Sequence, residues 1–112
     1  MQKFDYRAPR FAVDLPVRFS LENLTRVARC KDISVEGMKL ELRDPLPLNS
    51  VGTISVSYEG LALDISARVT HCQPNCDGLR FIYETDEQRN QVARLVASLA
   101  ADHSKPGPVL LT

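Results

Sequence analysis

The sequence predicts an all-β protein, a six-stranded antiparallel β-barrel followed by a C-terminal α-helix. Three observations predict this class. Short segments that alternate apolar and polar residues recur over most of the chain, turn-forming residues separate them, and helical spacing replaces the alternation near residue 86. Because closure removes the exposed edges of a small sheet, short strands joined by close turns favour a barrel.

The first predicted strand has the strictest alternation. From Val13 to Leu21, apolar side chains occupy every second position, which indicates a strand with one buried face. Pro16 has no amide proton to donate, so it predicts a sheet edge or a bulge at that point. A turn at 22–23 and a β-like segment at 24–33 follow.

The remaining strands are separated by turn signals rich in proline, glycine and asparagine. The loop at 44–49 holds two prolines, and the turn at 59–60 is Glu-Gly. A second cluster, Gln-Pro-Asn-Cys-Asp-Gly at 73–78, predicts another turn. The predicted strands are residues 37–43, 51–58, 61–70 and 79–83.

The helix is predicted from the spacing of its apolar residues, Val92, Leu95, Val96 and Leu99. Thr85, with Gln88 three residues later, has the form of a capping box. We expect this helix to cover one opening or one side of the barrel.

These elements divide the chain into four parts. We expect a mobile, arginine-bearing N-terminal arm (1–11), the β-barrel (12–84), the C-terminal helix (85–101) and a flexible tail (102–112).

Composition is that of a soluble globular domain, with 112 residues, 44% hydrophobic and 25% charged. Lys plus Arg and Asp plus Glu number 14 each, which does not favour binding to DNA or RNA. Residues 1–31 nevertheless hold seven basic side chains against three acidic ones, so we expect an anionic ligand near this third of the chain.

Neither a membrane-spanning run nor a signal peptide is evident, and the three cysteines do not form a disulfide framework. We therefore expect a cytoplasmic protein with reduced thiols and no membrane insertion.

Catalysis is not expected, because neither a nucleophile elbow nor a glycine-rich phosphate loop is present. His71, Cys72 and Cys76 form the one candidate metal or redox cluster. Their spacing matches no standard metal site, which favours incidental thiols beside a turn, so we expect neither a metal nor a cofactor.

Two segments carry the candidate binding chemistry. In the first, Tyr6-Arg7-Ala8-Pro9-Arg10, Pro9 keeps the chain extended, and arginine forms paired hydrogen bonds with phosphate or with guanine. In the second, Asp32-Ile33-Ser34-Val35-Glu36-Gly37, a carboxylate can accept from a guanine edge, a hydroxyl adds a further bond, and glycine permits close approach. Taken singly, each segment is better explained without a ligand, the first as a solvated basic arm and the second as a hairpin turn that caps its own amides.

In this order, the two segments make the chain similar to the PilZ domain family. Asp32, Ser34 and Gly37 match the family motif [DN]-x-S-x-x-G, and Arg10 takes the later place of R-x-x-x-R. Tyr6 stands where the earlier arginine belongs, so that motif is degraded. The strands that begin Val13-Asp14-Leu15-Pro16-Val17 and Gly78-Leu79-Arg80-Phe81 also resemble those of the family, and the resemblance covers residues 5–101.

The resemblance implies a PilZ-like barrel that is a bacterial receptor for the second messenger cyclic di-GMP. It implies that Arg10 bonds a guanine edge, that Arg7 bonds a phosphate or the second guanine, and that Asp32 and Ser34 hold a guanine. Gly37 would keep the approach clear. Tyr6 is expected to stack on a base, and Arg68 and His71 to flank the ligand.

Ordering of the N-terminal arm on binding would change the surface of the protein, so we expect a conformational change that signals in trans to a protein partner. The alternative is a PilZ-like adaptor that docks on an acidic protein surface and binds no nucleotide. A metal or redox role for Cys72 and Cys76 is the third alternative.

Overall fold

The computed structural model describes residues 8–103, which form a closed barrel of six antiparallel strands followed by one helix. This confirms the predicted fold class. The barrel order is β1-β2-β3-β6-β5-β4, and β4 pairs back onto β1 to close the sheet. The elements are β1 Phe11–Leu21, β2 Leu24–Ile33, β3 Gly37–Glu41, β4 Val51–Tyr58, β5 Leu61–Gln73, β6 Cys76–Ile82 and α1 Asp86–His103.

The barrel interior contains the apolar side chains that the alternating pattern singles out. Each fully buried aliphatic or aromatic side chain stabilises the fold by about 1.5–3 kcal/mol. Helix α1 packs against β1 and β5. The helix contributes four buried residues to the core, namely Val92, Leu95, Val96 and Leu99.

Pro16 lies beside an irregularity in the pairing of β1 with β2. The register of that pair shifts between Ala12 and Leu15. The pairing of β1 with β4 covers Arg18 to Ser20, so Pro16 lies outside that ladder. Pro16 still pairs with Arg29 of β2, and a proline is tolerated next to such a bulge. The bulge predicted from the sequence is therefore found at this end of β1.

The turn between β5 and β6 is shorter than its sequence suggests. The turn signal covers 73–78, but β5 continues to Gln73 and β6 begins at Cys76. Asn75 adopts a φ of 65°, a left-handed conformation that asparagine tolerates, and this permits a tight connection. Asp77 then turns inward, where its carboxylate accepts a hydrogen bond of 2.8 Å from the Leu46 amide.

The start of α1 is capped much as predicted. The Thr85 hydroxyl accepts a hydrogen bond of 3.1 Å from the Gln88 amide. The Gln88 side chain accepts from the Glu84 amide at 2.7 Å, one residue earlier than in the standard capping box. The helix extends two residues beyond the predicted 101. No helix within residues 8–103 is long and apolar enough to cross a membrane.

Candidate ligand-binding site

The structure brings together three of the residues that the two sequence segments single out. Arg10 Nε donates a hydrogen bond of 2.5 Å to Asp32 Oδ1, and Arg10 Nη1 lies 3.4 Å from Ser34 Oγ. We call Arg10, Asp32 and Ser34 the motif corner. It joins the residue before β1 to the connection between β2 and β3. The predicted site residues Tyr6 and Arg7 lie outside the described residues.

Ser34 stabilises the β2–β3 connection through hydrogen bonds within it. It is completely buried, and its hydroxyl accepts a hydrogen bond of 3.0 Å from the Glu36 amide. Its own amide donates to the Gly37 carbonyl at 2.9 Å. Ser34 therefore closes the turn that follows Asp32, in addition to contacting Arg10. The local capping considered as an alternative in the sequence is thus present at Ser34.

Gly37 is required for the packing of β3 against β6. A Cβ atom at this position would overlap the carbonyl oxygen of Leu79 and lie 3.0 Å from its carbonyl carbon. The φ of Gly37 is not positive, so backbone conformation does not explain the residue. The glycine that the sequence assigns to ligand approach thus also permits close contact between two strands.

A groove of about 630 Å³ runs over the outer face of β3, β6 and β5. Arg10 lies at its rim, so the groove adjoins the motif corner. Among the groove residues within 8–103, three are basic and one is acidic, which makes the groove cationic. The basic residues are Arg10, Lys39 and Arg80, and the acid is Glu36.

The groove follows a row of residues paired across four strands. Asp32 pairs with Lys39, Lys39 with Gly78, and Gly78 with His71. Gly78 has no side chain, and His71 Cδ2 lies 3.1 Å from where its Cβ would stand. The His71 imidazole therefore lies against Gly78 within the groove. The row crosses three interstrand spacings, about 14 Å along the sheet.

The two additional candidate residues, Arg68 and His71, differ in their position relative to the groove. His71 lines the groove. Arg68 is exposed and pairs with Arg80 across β5 and β6, but it is not among the groove residues. Sequence reasoning did not single out Lys39 or Arg80. Strand alternation places both on the outer face, and a glycine within β6 signals close approach there.

The β2–β3 connection is tied to the end of the barrel that leads into α1. The Tyr83 hydroxyl donates to the Val35 carbonyl at 2.5 Å, and the Phe81 amide donates to the Glu36 carbonyl at 2.8 Å. The Arg89 guanidinium lies over the Tyr83 ring, 5.7 Å from its centroid. Burial raises the pKa of the Tyr83 hydroxyl to about 12, so it remains a donor at neutral pH.

The cysteines have other surroundings. Burial raises the pKa of the Cys30 thiol to about 12. Burial also raises the pKa of the Cys72 thiol, which donates to the Leu46 carbonyl at 2.9 Å. Both thiols are thus protonated at neutral pH and weakly nucleophilic. Within residues 8–103, no group of three or more His, Cys, Asp or Glu residues is arranged to hold a metal ion.

The described residues thus form a closed six-stranded β-barrel domain with a paired Arg, Asp and Ser corner beside a cationic groove. The PilZ domain model matches residues 5–98, and the chain belongs to the PilZ domain family. PilZ domains are receptor or adaptor domains rather than enzymes. No curated protein shows significant sequence similarity to the chain.

Solved structures share the fold at low sequence identity. The PilZ domain of CeSA from a cellulose-synthesizing bacterium is 20% identical, with a TM-score of 0.75 over 82% of this chain and 98% of that one. The complex of K. pneumonia MrkH with c-di-GMP is 15% identical, with a TM-score of 0.72. That match covers 92% of this chain and 55% of MrkH.

Proposed function

We propose that this chain is a bacterial receptor for cyclic di-GMP. The observation that carries the proposal is the motif corner, where Arg10 meets Asp32 and Ser34 at the rim of a cationic groove. The similarity of the fold to the MrkH complex supports the choice of ligand.

In the proposed complex, one guanine replaces the Arg10–Asp32 ion pair. The N1–H and exocyclic amino group of the base donate to the Asp32 carboxylate, which accepts with two oxygens. Arg10 turns to the O6 and N7 atoms, the arrangement that arginine commonly forms with guanine. Ser34 keeps the β2–β3 connection in place through Glu36 and becomes accessible as Arg10 moves. Gly37 keeps β3 close to β6 beneath the ligand.

The rest of the ligand lies along the groove. Three basic side chains against one acidic side chain favour a ligand with two phosphate charges. Arg7 is proposed to contact a phosphate or the second guanine, and Tyr6 to stack on a base. His71 lies within the groove and Arg68 beside it, at the far end of the ligand.

Tyr6 in place of an arginine weakens binding without abolishing it. A charge-assisted hydrogen bond contributes about 1.5–3 kcal/mol, so its loss lowers affinity by about 10- to 100-fold. Stacking by Tyr6 offsets part of this, since base–aromatic stacking contributes about 1–3 kcal/mol in single-stranded nucleic-acid complexes.

Binding is proposed to change conformation and signal in trans to a protein partner in the cytoplasm, without catalysis or a cofactor. The movement of Arg10 away from Asp32 is the first change. The β2–β3 connection, held by Tyr83, lies next to the start of α1 and can pass this change to the helix.

The test is calorimetric titration of the full chain with cyclic di-GMP. We expect Arg10→Ala and Asp32→Ala to lose binding. Arg29→Ala and Asp14→Ala are the matched controls, because these two residues form an ion pair of 2.6 Å on β2 and β1 and neither lines the groove. Both controls are expected to bind like the wild type.

The proposal would be contradicted if the wild-type chain gave no heat and no NMR shift at a high concentration of cyclic di-GMP. A stable protein partner captured equally well with and without nucleotide would then favour the adaptor function. Equal loss of binding in the test and control pairs would place the site elsewhere.

A further inference from the structure

The groove contains two cations that belong to neither sequence motif. Lys39 on β3 and Arg80 on β6 are exposed, and both line the groove. In the part of the chain from 8 to 103, neither forms an ion pair or a hydrogen bond through its side chain. Two unpaired cations in one concave surface attract an anion.

The strand register increases the positive charge at this place. Arg80 lies directly opposite Arg68, and like charges that face each other across two strands are destabilising. The other neighbour of Arg80 in the register is Gly37, which offers no acid. Lys39 lies between Gly78, which has no side chain, and Asp32, whose carboxylate already accepts a hydrogen bond from Arg10. A bound anion would relieve this repulsion.

The two cations lie beyond Asp32 along the groove. Asp32 pairs with Lys39 in the register, and Arg80 is two residues further along β6 from Gly78. A guanine held at the motif corner therefore directs the sugar–phosphate ring of the dinucleotide towards Lys39 and Arg80. Lysine and arginine both bind phosphate oxygens, arginine through two parallel hydrogen bonds.

We propose that Lys39 and Arg80 form a phosphate-binding subsite that holds the ring phosphates of the dinucleotide. This inference rests on the proposed function and assigns the second half of the ligand to residues outside both motifs. The subsite sets affinity through charge, whereas the motif corner recognises the base.

The test is titration of Lys39→Gln, Arg80→Gln and the double variant with cyclic di-GMP. Each single variant is expected to bind about tenfold more weakly and the double variant about 100-fold more weakly, as for loss of one and two charged contacts. Because electrostatic attraction is screened by salt, the affinity of the double variant should depend less on ionic strength than that of the wild type. Lys39→Arg should stay within about threefold of the wild type, whereas Arg80→Lys keeps the charge but loses the paired hydrogen bonds and should bind between the wild type and Arg80→Gln.

Arg18→Gln is the matched control, because Arg18 is an exposed arginine on β1 outside this groove. Thermal unfolding checks that every variant is folded. If Lys39→Gln and Arg80→Gln bind as tightly as the wild type and the Arg18→Gln control, while Arg10→Ala loses binding, the subsite is overturned. The receptor function would still stand. No binding by the wild type would overturn both.

Discussion

Two outer faces of the same barrel treat their cations in opposite ways. On the face formed by β1 and β2, Asp14 pairs with Arg29 at 2.6 Å and with Lys31 at 3.5 Å. On the face formed by β3, β6 and β5, Lys39 and Arg80 have no acidic partner within residues 8–103. The cations around Asp14 are neutralised by that acid, whereas Lys39 and Arg80 are not neutralised by an ion pair.

The comparison shows that charge counted along a sequence does not identify which cations lack an acidic partner. The basic excess of residues 1–31 points to the N-terminal third, but Arg26, Arg29 and Lys31 all pair with acids. Arg10 is another of these basic residues. It lies in the groove, but it is also paired with an acid, Asp32. The unpaired groove cations come from β3 and β6, which sequence charge alone does not identify.

The largest effect is expected when the groove is given the acid that the other face has. His71→Glu places a carboxylate against Gly78, on the opposite side of this glycine from Lys39. Repulsion of the ligand phosphates and neutralisation of the groove cations should weaken cyclic di-GMP binding on the order of 100-fold, about 2.7 kcal/mol.

Val27→Glu is the matched control for this charge, because Val27 is 70% exposed on β2. It should leave the affinity within twofold of the wild type in the same calorimetric titration. Similar losses in both variants would show that overall charge, rather than the groove, governs binding.

The next effect concerns stability. Replacing each of the two groove glycines, Gly37 and Gly78, is expected to change the free energy of unfolding by different amounts. Gly37→Ala forces β3 away from the Leu79 backbone and should lower the free energy of unfolding by about 2–3 kcal/mol. Gly78→Ala meets only the side chain of His71, which is exposed and can move, so its loss should be below about 1 kcal/mol. Urea unfolding measures both, and equal losses would contradict the role assigned to Gly37.

A smaller effect is expected at Tyr83, which ties the β2–β3 connection to the segment that leads into α1. Tyr83→Phe removes the hydrogen bond to the Val35 carbonyl and loosens the β2–β3 connection. We expect a loss of about 1 kcal/mol in stability and about a threefold weaker affinity for cyclic di-GMP. Tyr58→Phe is the control, because the Tyr58 hydroxyl bonds Asp102 far from the groove residues. Unchanged affinity in Tyr83→Phe would contradict the coupling.

The smallest effect is a pH dependence on the paired face. The hydrogen bond from Arg29 holds the pKa of Asp14 below its ordinary value of 3.8. The ion pair therefore stabilises the folded state above pH 4 and loses this contribution as pH falls below 3.8. The difference in unfolding free energy between wild type and Asp14→Asn should shrink over that range. A difference independent of pH would contradict the pairing.

The sequence predicts the barrel well because the fold depends on patterns that a single chain displays. Strict alternation from Val13 to Leu21 identifies β1, and the change to helical spacing identifies α1. The turn at 73–78 is longer in the sequence than in the structure. Its residues, such as the inward-facing Asp77, gain partners only when the barrel closes and brings Leu46 near.

The motif corner is predictable for a different reason from the groove. Asp32 and Ser34 belong to one short motif, and Arg10 is found by its order along the chain. Lys39 and Arg80 depend on the register of β3 against β6, which a single sequence does not specify. The pairing of Gly78 with His71 likewise depends on a register shift in β5 after Val69.

The measurement that tests the account most directly is an NMR titration of the full chain with cyclic di-GMP. The account predicts saturable shifts of the Asp32, Gly37, Lys39 and Gly78 amides, while the Asp14 and Arg29 amides on the paired face stay unchanged. Saturable shifts confined to the Asp14 and Arg29 amides, or no shifts at all, would contradict it.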